Sequence, residues 1–99
     1  MGVRENTVEK YLDGCIKEFN GLTRKWVSPG RDGVPDRIVI VKGHIWFVEV
    51  KTVDGKLSPP QIREHTRLAK CGAAVRCVWG KDDVDLFIKE VKYVAQNYT

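Results

Sequence analysis

Two short apolar segments, separated by only three residues, constrain the fold of this chain most strongly. Residues 38–41 (IVIV) and 45–48 (IWFV) contain no polar side chain and flank Lys42, Gly43 and His44. Apolar, β-branched runs joined by a glycine-containing turn predict a β-hairpin. Because both runs are apolar at every position and do not alternate, we expect helices to cover both faces of the sheet. The hairpin therefore predicts an α/β sandwich with a small mixed central sheet.

Three amphipathic segments provide the helices for this sandwich. Residues 6–19 carry apolar side chains at helical spacing, and Gly21, in the left-handed conformation, is expected to end that helix. Ser58 is the expected N-cap of a second helix. Asp82 or Asp83 is expected to cap the third. The apolar side of the second helix is predicted to consist of Ile62, Thr66, Leu68 and Ala69.

The remaining segments complete a chain that is expected to form one domain. Strands are predicted near Trp26-Val27 and over residues 73–79, which gives the order α-β-β-β-α-β-α. Ninety-nine residues suffice for one hydrophobic core, so residues 1–99 are predicted to be a single domain. Apolar runs of four residues are far shorter than the roughly 20 needed to cross a bilayer. We therefore expect a cytoplasmic protein without a membrane partner.

The cysteines and histidines do not form a disulfide or zinc pattern. Three cysteines are an odd number, and no two of them form a C-x-x-C pair. We therefore expect buried, reduced thiols that behave as small apolar side chains. His44 and His65 are distant in the sequence, and each is predicted to be a surface side chain.

Positive charge is concentrated in the middle of the sequence. The chain has 17 basic and 13 acidic residues, a net charge of +4, whereas residues 24–81 alone have 12 basic against five acidic residues. Such a concentration suits a polyanion, because Lys and Arg that neutralise phosphates release condensed counterions. A solvated surface with a mild cationic bias is the alternative.

Three charged residues interrupt the apolar hairpin. Glu49 and Lys51 share one face of a strand, and a two-residue turn would place Asp36 directly opposite Glu49. Two adjacent carboxylates repel each other unless a proton or a cation intervenes, and an oxygen-rich pair favours Mg²⁺ or Mn²⁺. Lys51 could then orient or deprotonate a water, or stabilise charge at phosphorus. The alternative is that Asp36 begins a strand and that Glu49 and Lys51 form a local ion pair.

These residues also resemble a known motif. Gly33-Val34-Pro35-Asp36, 12 further residues and Glu49-Val50-Lys51 resemble the PD-(D/E)XK nuclease motif. The wider pattern is similar to the VRR-NUC branch of that superfamily. Its matching segments are Val8-Glu9-Lys10-Tyr11-Leu12, Lys25-Trp26-Val27-Ser28-Pro29-Gly30, and Gly55-Lys56-Leu57-Ser58-Pro59 followed by Gln61. The chain is identified as a stand-alone, minimal VRR-NUC domain over residues 1–99, with a restriction-endonuclease-like fold.

The resemblance implies a role for each matching residue. Asp36 and Glu49 would bind the metal through their carboxylates and Val50 through its backbone carbonyl, with Lys51 as the catalytic lysine. Gln61 and Glu9 would complete the active site. The alternative for each is a role in a helix capping box, in which Gln61 would pair with Ser58 and Glu9 with Asn6. The candidate phosphate contacts, for which solvated surface side chains are the alternative, are Lys25, Arg31, Lys56 and Arg63.

The predicted function is hydrolysis of DNA phosphodiester bonds by a Mg²⁺- or Mn²⁺-dependent, structure-specific endodeoxyribonuclease. The resemblance to minimal members implies branched DNA, above all four-way (Holliday) junctions, and a role in DNA repair or recombination. Resolving a junction requires two cuts, so a homodimer is expected. Flap, nicking or restriction-type nucleases are alternatives, as is a catalytically silent DNA-binding accessory module. A bacterial or phage gene is the expected source.

Overall fold

The computed structural model describes residues 4–98, which form three helices and four strands. In chain order these are α1 (Glu5–Lys17), β1 (Leu22–Lys25), β2 (Arg37–Val41), β3 (His44–Lys51), α2 (Pro59–Lys70), β4 (Val75–Trp79) and α3 (Gly80–Asn97). The strands form one sheet in the order β1-β2-β3-β4. β1, β2 and β3 are antiparallel neighbours, whereas β4 is parallel to β3. The predicted α/β class, mixed sheet and element order are confirmed.

The hairpin between β2 and β3 has the predicted register. Lys42 and Gly43 both have positive φ angles, 49° and 84°, as a two-residue type I′ turn requires. Val41 pairs with His44 across this turn, and Arg37 pairs with Val48 at the other end of β2. Asp36, one residue before β2, therefore lies opposite Glu49 of β3.

One face of the sheet forms the hydrophobic core with α1 and α3. Trp46 of β3 packs edge-on against Phe87 of α3, with ring centroids 5.8 Å apart. Helices α1 and α3 each present an apolar stripe to the strands because their buried residues recur at helical spacing. The buried apolar residues of this core include Val8, Leu12, Ile16, Val39, Val41, Val48, Val50, Val84 and Val91.

The opposite face is only partly covered, which corrects the expectation that helices bury both faces. Helix α2 lies over the end that carries Glu49, and its buried residues are Glu64 and His65. Its predicted apolar side is mostly exposed: Ile62 is 51% exposed, Thr66 and Ala69 are also exposed, and Leu68 is partly buried. The physical reason is that α2 covers polar side chains, so polar residues of the helix face the sheet. Away from α2 an apolar patch remains, which consists of Leu22, Ile38, Ile40, Ile45 and Phe47.

Three local predictions are also corrected. The first strand ends before Trp26, although the Trp26 N–H still donates to the Asp36 carbonyl at 2.9 Å. After α1, Asn20 adopts the left-handed conformation (φ 56°). Gly21 instead allows close packing, since a Cβ there would lie 2.7 Å from Ile16 Cγ2. Helix α3 begins at Gly80, so its N-cap residue is Trp79 and not Asp82 or Asp83. The Asp83 carboxylate accepts a hydrogen bond from the Trp79 N–H.

The cysteines are free but are not buried as predicted. Cys71 is exposed, and Cys15 and Cys77 are partly buried. Within residues 4–98, no helix combines the length and the hydropathy that a membrane span requires.

Candidate active site

The hairpin brings two carboxyl groups together at one end of the sheet. Asp36 is held there because its Oδ2 accepts a hydrogen bond from the Val50 N–H at 3.0 Å, and the preceding Pro35 is fully buried. Glu49 is 1% exposed. A buried carboxylate is costly unless a charge or a hydrogen bond compensates it. The two acids predicted from the sequence to meet are therefore adjacent.

The charge of the Glu49 carboxylate is incompletely compensated. Its Oε2 accepts from Gln61 Nε2 at 3.1 Å and lies 3.7 Å from Lys51 Nζ. Burial, and then the neighbouring Asp36, raises the pKa of Glu49 to about 8, while Lys51 opposes this shift. In the absence of a bound metal ion, the fold therefore favours the protonated form of Glu49.

Gln61 makes both of the contacts that the sequence suggested as alternatives. Ser58 Oγ accepts from the Gln61 N–H, and Gln61 Oε1 accepts from the Ser58 N–H at 2.9 Å, which completes a capping box. The amide nitrogen of the same side chain donates to Glu49. The cap therefore fixes Gln61 at the start of α2 in an orientation that reaches the carboxylate.

Gly33 explains how the loop before Asp36 and helix α2 approach each other. Its φ angle is +92°, and a Cβ at this position would lie 2.3 Å from the Pro60 carbonyl oxygen. No side chain larger than hydrogen fits without a backbone shift. This contact holds the loop against the first turn of α2, next to Gln61.

His65 is a site residue that the sequence reasoning missed, since it was predicted to be on the surface. It is 9% exposed, and its Nε2 lies 3.7 Å from Glu49 Oε1. Among residues 4–98, neither of these buried atoms has a hydrogen-bond partner. Burial lowers the pKa of His65, while Asp36 and a hydrogen bond with the Gly33 backbone oppose that shift. Its position four residues after Gln61 was the available signal, because i and i+4 share one helix face.

Glu9 lies at the margin of this group. Its Oε2 is 3.8 Å from Arg37 Nη2, and the same guanidinium contacts Asp13 at 3.4 Å. Burial raises the pKa of Glu9, Arg37 lowers it and the charge of Asp36 adds to the increase. The capping box that Asn6 was suggested to begin is absent, because α1 begins at Glu5 and Arg4 is the N-cap.

Two of the four predicted phosphate contacts share a groove. Arg31 and Arg63 line a cavity of about 350 Å³ together with Arg67, which also pairs with Glu64 at 2.9 Å. Its lining also includes the acidic Asp32, and Pro60, so the groove adjoins the contact between Gly33 and α2. The other two predicted contacts, Lys25 and Lys56, are exposed and lie outside the groove.

Comparisons with known proteins identify the family of this chain. Over 74 residues the chain is 46% identical to "Putative nuclease p44" of Acyrthosiphon pisum secondary endosymbiont phage 1. The matched stretch covers 74% of this chain and 80% of that protein. A solved structure described as "VRR_NUC domain" superposes with a TM-score of 0.77 and 39% identity, over 96% of this chain and 97% of that one. The chain belongs to the VRR-NUC family.

Other comparisons agree on the VRR-NUC fold or cover less of the matched protein. A structure described as "VRR_NUC domain protein" has a TM-score of 0.71 and 19% identity, covering 95% of this chain and 90% of that one, so it supports the fold. Small ribosomal subunit protein eS1 of Nanoarchaeum equitans is 33% identical over 84 residues, 85% of this chain but 38% of that protein. No family model matches the chain.

The donor groups of this VRR-NUC domain suit a hard divalent cation. In the described part of the chain, no three His, Cys, Asp or Glu side chains converge as metal ligands. Asp36 and Glu49 supply carboxylate oxygens, and Glu49 Oε1 is buried without a partner. Two carboxylates leave positions for backbone carbonyl, water and phosphate oxygens, as Mg²⁺ sites usually do.

Proposed function

We propose that this VRR-NUC domain is a metal-dependent endodeoxyribonuclease. The observation that carries the proposal is the buried Glu49 carboxyl, opposite Asp36 and 3.7 Å from the Lys51 ammonium. A buried carboxyl pair whose charge is incompletely compensated costs stability, and a cation would offset that cost. The relative named a putative nuclease supports nuclease activity.

Mg²⁺ or Mn²⁺ is the proposed cofactor. The Asp36 and Glu49 carboxylates and the Val50 backbone carbonyl would hold it. When bound, the ion would supply Lewis-acid stabilisation of the charge that develops on the phosphate oxygens. The hydrogen bond from the Val50 N–H to Asp36 keeps the donors of both strands together before any ion binds.

Lys51 is the proposed catalytic residue that acts directly on the reacting atoms. Its side chain is 13% exposed, and Glu49 keeps its ammonium group at the end of β3. From there it would orient the attacking water and stabilise negative charge on the phosphate. Gln61 would orient Glu49 through its amide, and Glu9 would act from the margin of the site through its electrostatic contact with Arg37.

DNA is the proposed substrate, held by the basic groove beside the site. Arg31 and Arg63 would contact phosphates there, and Arg67 adds a third guanidinium. Lys25 and Lys56 would extend these contacts along the backbone of a longer DNA. Contacts of this kind position DNA without reading its sequence.

A four-way junction is the proposed preferred substrate, and a homodimer the proposed active form. The apolar patch of the sheet is the proposed dimer surface, because Leu22 is 50% and Ile45 49% exposed on a face that α2 leaves open. A second copy would bury this patch and provide the second active site that two symmetric cuts require. The phage relative supports a phage or bacterial gene. DNA of the cytoplasm is the proposed substrate, and recombination or repair is the proposed context.

A substrate panel tests this function. Purified protein is mixed with labelled four-way junction, flap, nicked duplex, duplex and single-stranded DNA in Mg²⁺ or Mn²⁺, beside Glu49→Ala. We expect the junction to be cut fastest, by paired incisions, and the variant to be inactive. If a flap or one duplex sequence is cut preferentially, that DNA and not the junction is the preferred substrate. DNA binding without cleavage of any substrate would indicate an accessory module and refute the proposal.

A further inference from the structure

We propose that His65 is a positioning residue, whose imidazole holds the Glu49 carboxylate in its metal-binding orientation. This inference rests on the proposed metal-dependent function, which assigns Glu49 as a metal ligand. Carboxylates that bind metals are themselves usually held by hydrogen-bonding groups around them. The structure contains two such groups, Gln61 and His65, on one helix.

Gln61 and His65 face different oxygens of the same carboxylate. Gln61 Nε2 donates to Glu49 Oε2 at 3.1 Å, whereas His65 Nε2 lies 3.7 Å from Oε1. The two residues are one helical turn apart on α2, so one rigid element places both. A movement of about half an ångström would bring the imidazole within hydrogen-bonding distance.

The hydrogen bond with the Gly33 backbone gives His65 one structural contact, but it leaves Nε2 without a partner among residues 4–98. Helix α2 buries His65 and Glu64 while the apolar Ile62 remains 51% exposed. Burying an imidazole nitrogen without a partner costs free energy, which Leu or Met at this position would avoid. Because Glu49 Oε1 is also buried and unpartnered among residues 4–98, the two atoms are each other's available partners.

Direct ligation of the ion by His65 is the alternative. The structure places His65 Nε2 against Glu49 Oε1, at 3.7 Å, and the proposal therefore assigns the imidazole to the carboxylate. The two roles differ in whether the imidazole nitrogen contacts the ion.

Manganese binding without DNA tests this role separately from cleavage. Mn²⁺ affinity is measured by electron paramagnetic resonance for the wild type, Glu49→Gln, His65→Leu and His65→Gln. We expect His65→Leu to weaken binding about 10- to 100-fold, as for other residues that orient a metal ligand. His65→Gln should remain closer to the wild type, since its amide reaches the Nε2 position. His44→Leu is the matched control. His44 lies at the other end of β3 from Glu49 and bonds the Tyr98 carbonyl, so its substitution should not change the Mn²⁺ affinity.

A second pair of variants keeps the test valid if His65→Leu does not fold. Asparagine carries its amide nearer the backbone than glutamine does, so His65→Asn should bind Mn²⁺ more weakly than His65→Gln. The inference is overturned by equal affinities of folded His65 variants and wild type, or by ¹⁴N coupling that shows direct ligation by the imidazole. A wild type that does not bind Mn²⁺ would overturn the proposed function as well. Loss of binding in Glu49→Gln with no effect at His65 would overturn this inference alone.

Discussion

Replacing Glu49 with glutamine should stabilise the metal-free protein at alkaline pH, although it is expected to abolish metal binding. Burial and Asp36 disfavour the ionised carboxyl, so the folded protein retains a proton that the unfolded chain has lost. Glutamine has nearly the same shape, can still accept from Gln61 and never ionises. The substitution therefore isolates the cost of the buried charge.

The magnitude follows from the pKa of Glu49, which is about 8 in the fold against an ordinary 4.5. At about 1.4 kcal/mol per pH unit, ionising Glu49 costs the folded state about 5 kcal/mol. Because the carboxyl pKa is raised in the fold, the wild type has its full stability below pH 4.5, where Glu49 is protonated in both states. It loses that stability as the pH rises through about 8. Some of this cost is relieved by relaxation around the charge. The free energy of unfolding of Glu49→Gln should therefore exceed that of the wild type by about 2–5 kcal/mol at pH 9 and by less than about 1 kcal/mol at pH 5.

Urea unfolding in EDTA, repeated from pH 5 to pH 9, measures this difference. Glu90→Gln is the matched control, because the hydrogen bond from Arg76 lowers the pKa of Glu90. That substitution should destabilise the protein by nearly the same amount from pH 5 to pH 9, because Glu90, whose pKa is lowered, stays ionised throughout this range. A pH-independent difference between Glu49→Gln and the wild type would refute the reasoning, as would a variant that is less stable at pH 9.

Three further predictions concern the reaction, the backbone and the assembly. Lys51→Met should reduce cleavage to background in a gel assay while Mn²⁺ affinity is retained; undiminished cleavage would exclude the catalytic role. Gly33→Ala should cost about 1–3 kcal/mol in urea unfolding, because its positive φ and the Pro60 carbonyl 2.3 Å from the new Cβ force a shift. Ile45→Glu should give a folded monomer by light scattering, since Ile45 is half exposed in the single chain. An unchanged dimer would place the interface elsewhere.

The hairpin and its two acids could be predicted because their positions depend on local rules. A two-residue turn at Lys42-Gly43 fixes the register, and alternation along β3 then fixes which residues share a face. Asp36 therefore had to lie opposite Glu49. The resemblance to VRR-NUC domains covered the same residues, so the two lines of reasoning agreed.

The buried side of α2 could not be predicted in the same way. Helical periodicity favoured Ile62 and Ala69 because apolar residues usually face a sheet. Here the sheet surface beneath the helix carries Glu49, so the helix buries His65 and leaves Ile62 exposed. Which helix face meets the sheet depends on tertiary packing, and the capping box of Gln61 was the only local signal for its orientation.

Cleavage of a labelled four-way junction by the wild type and by Asp36→Asn is the most direct test of the central claim. The account predicts cleavage by the wild type in Mg²⁺ or Mn²⁺, none in EDTA, and none by the variant with either ion. Cleavage that persists in EDTA, or in folded Asp36→Asn at the rate of the wild type, would contradict a metal-dependent site built on Asp36 and Glu49.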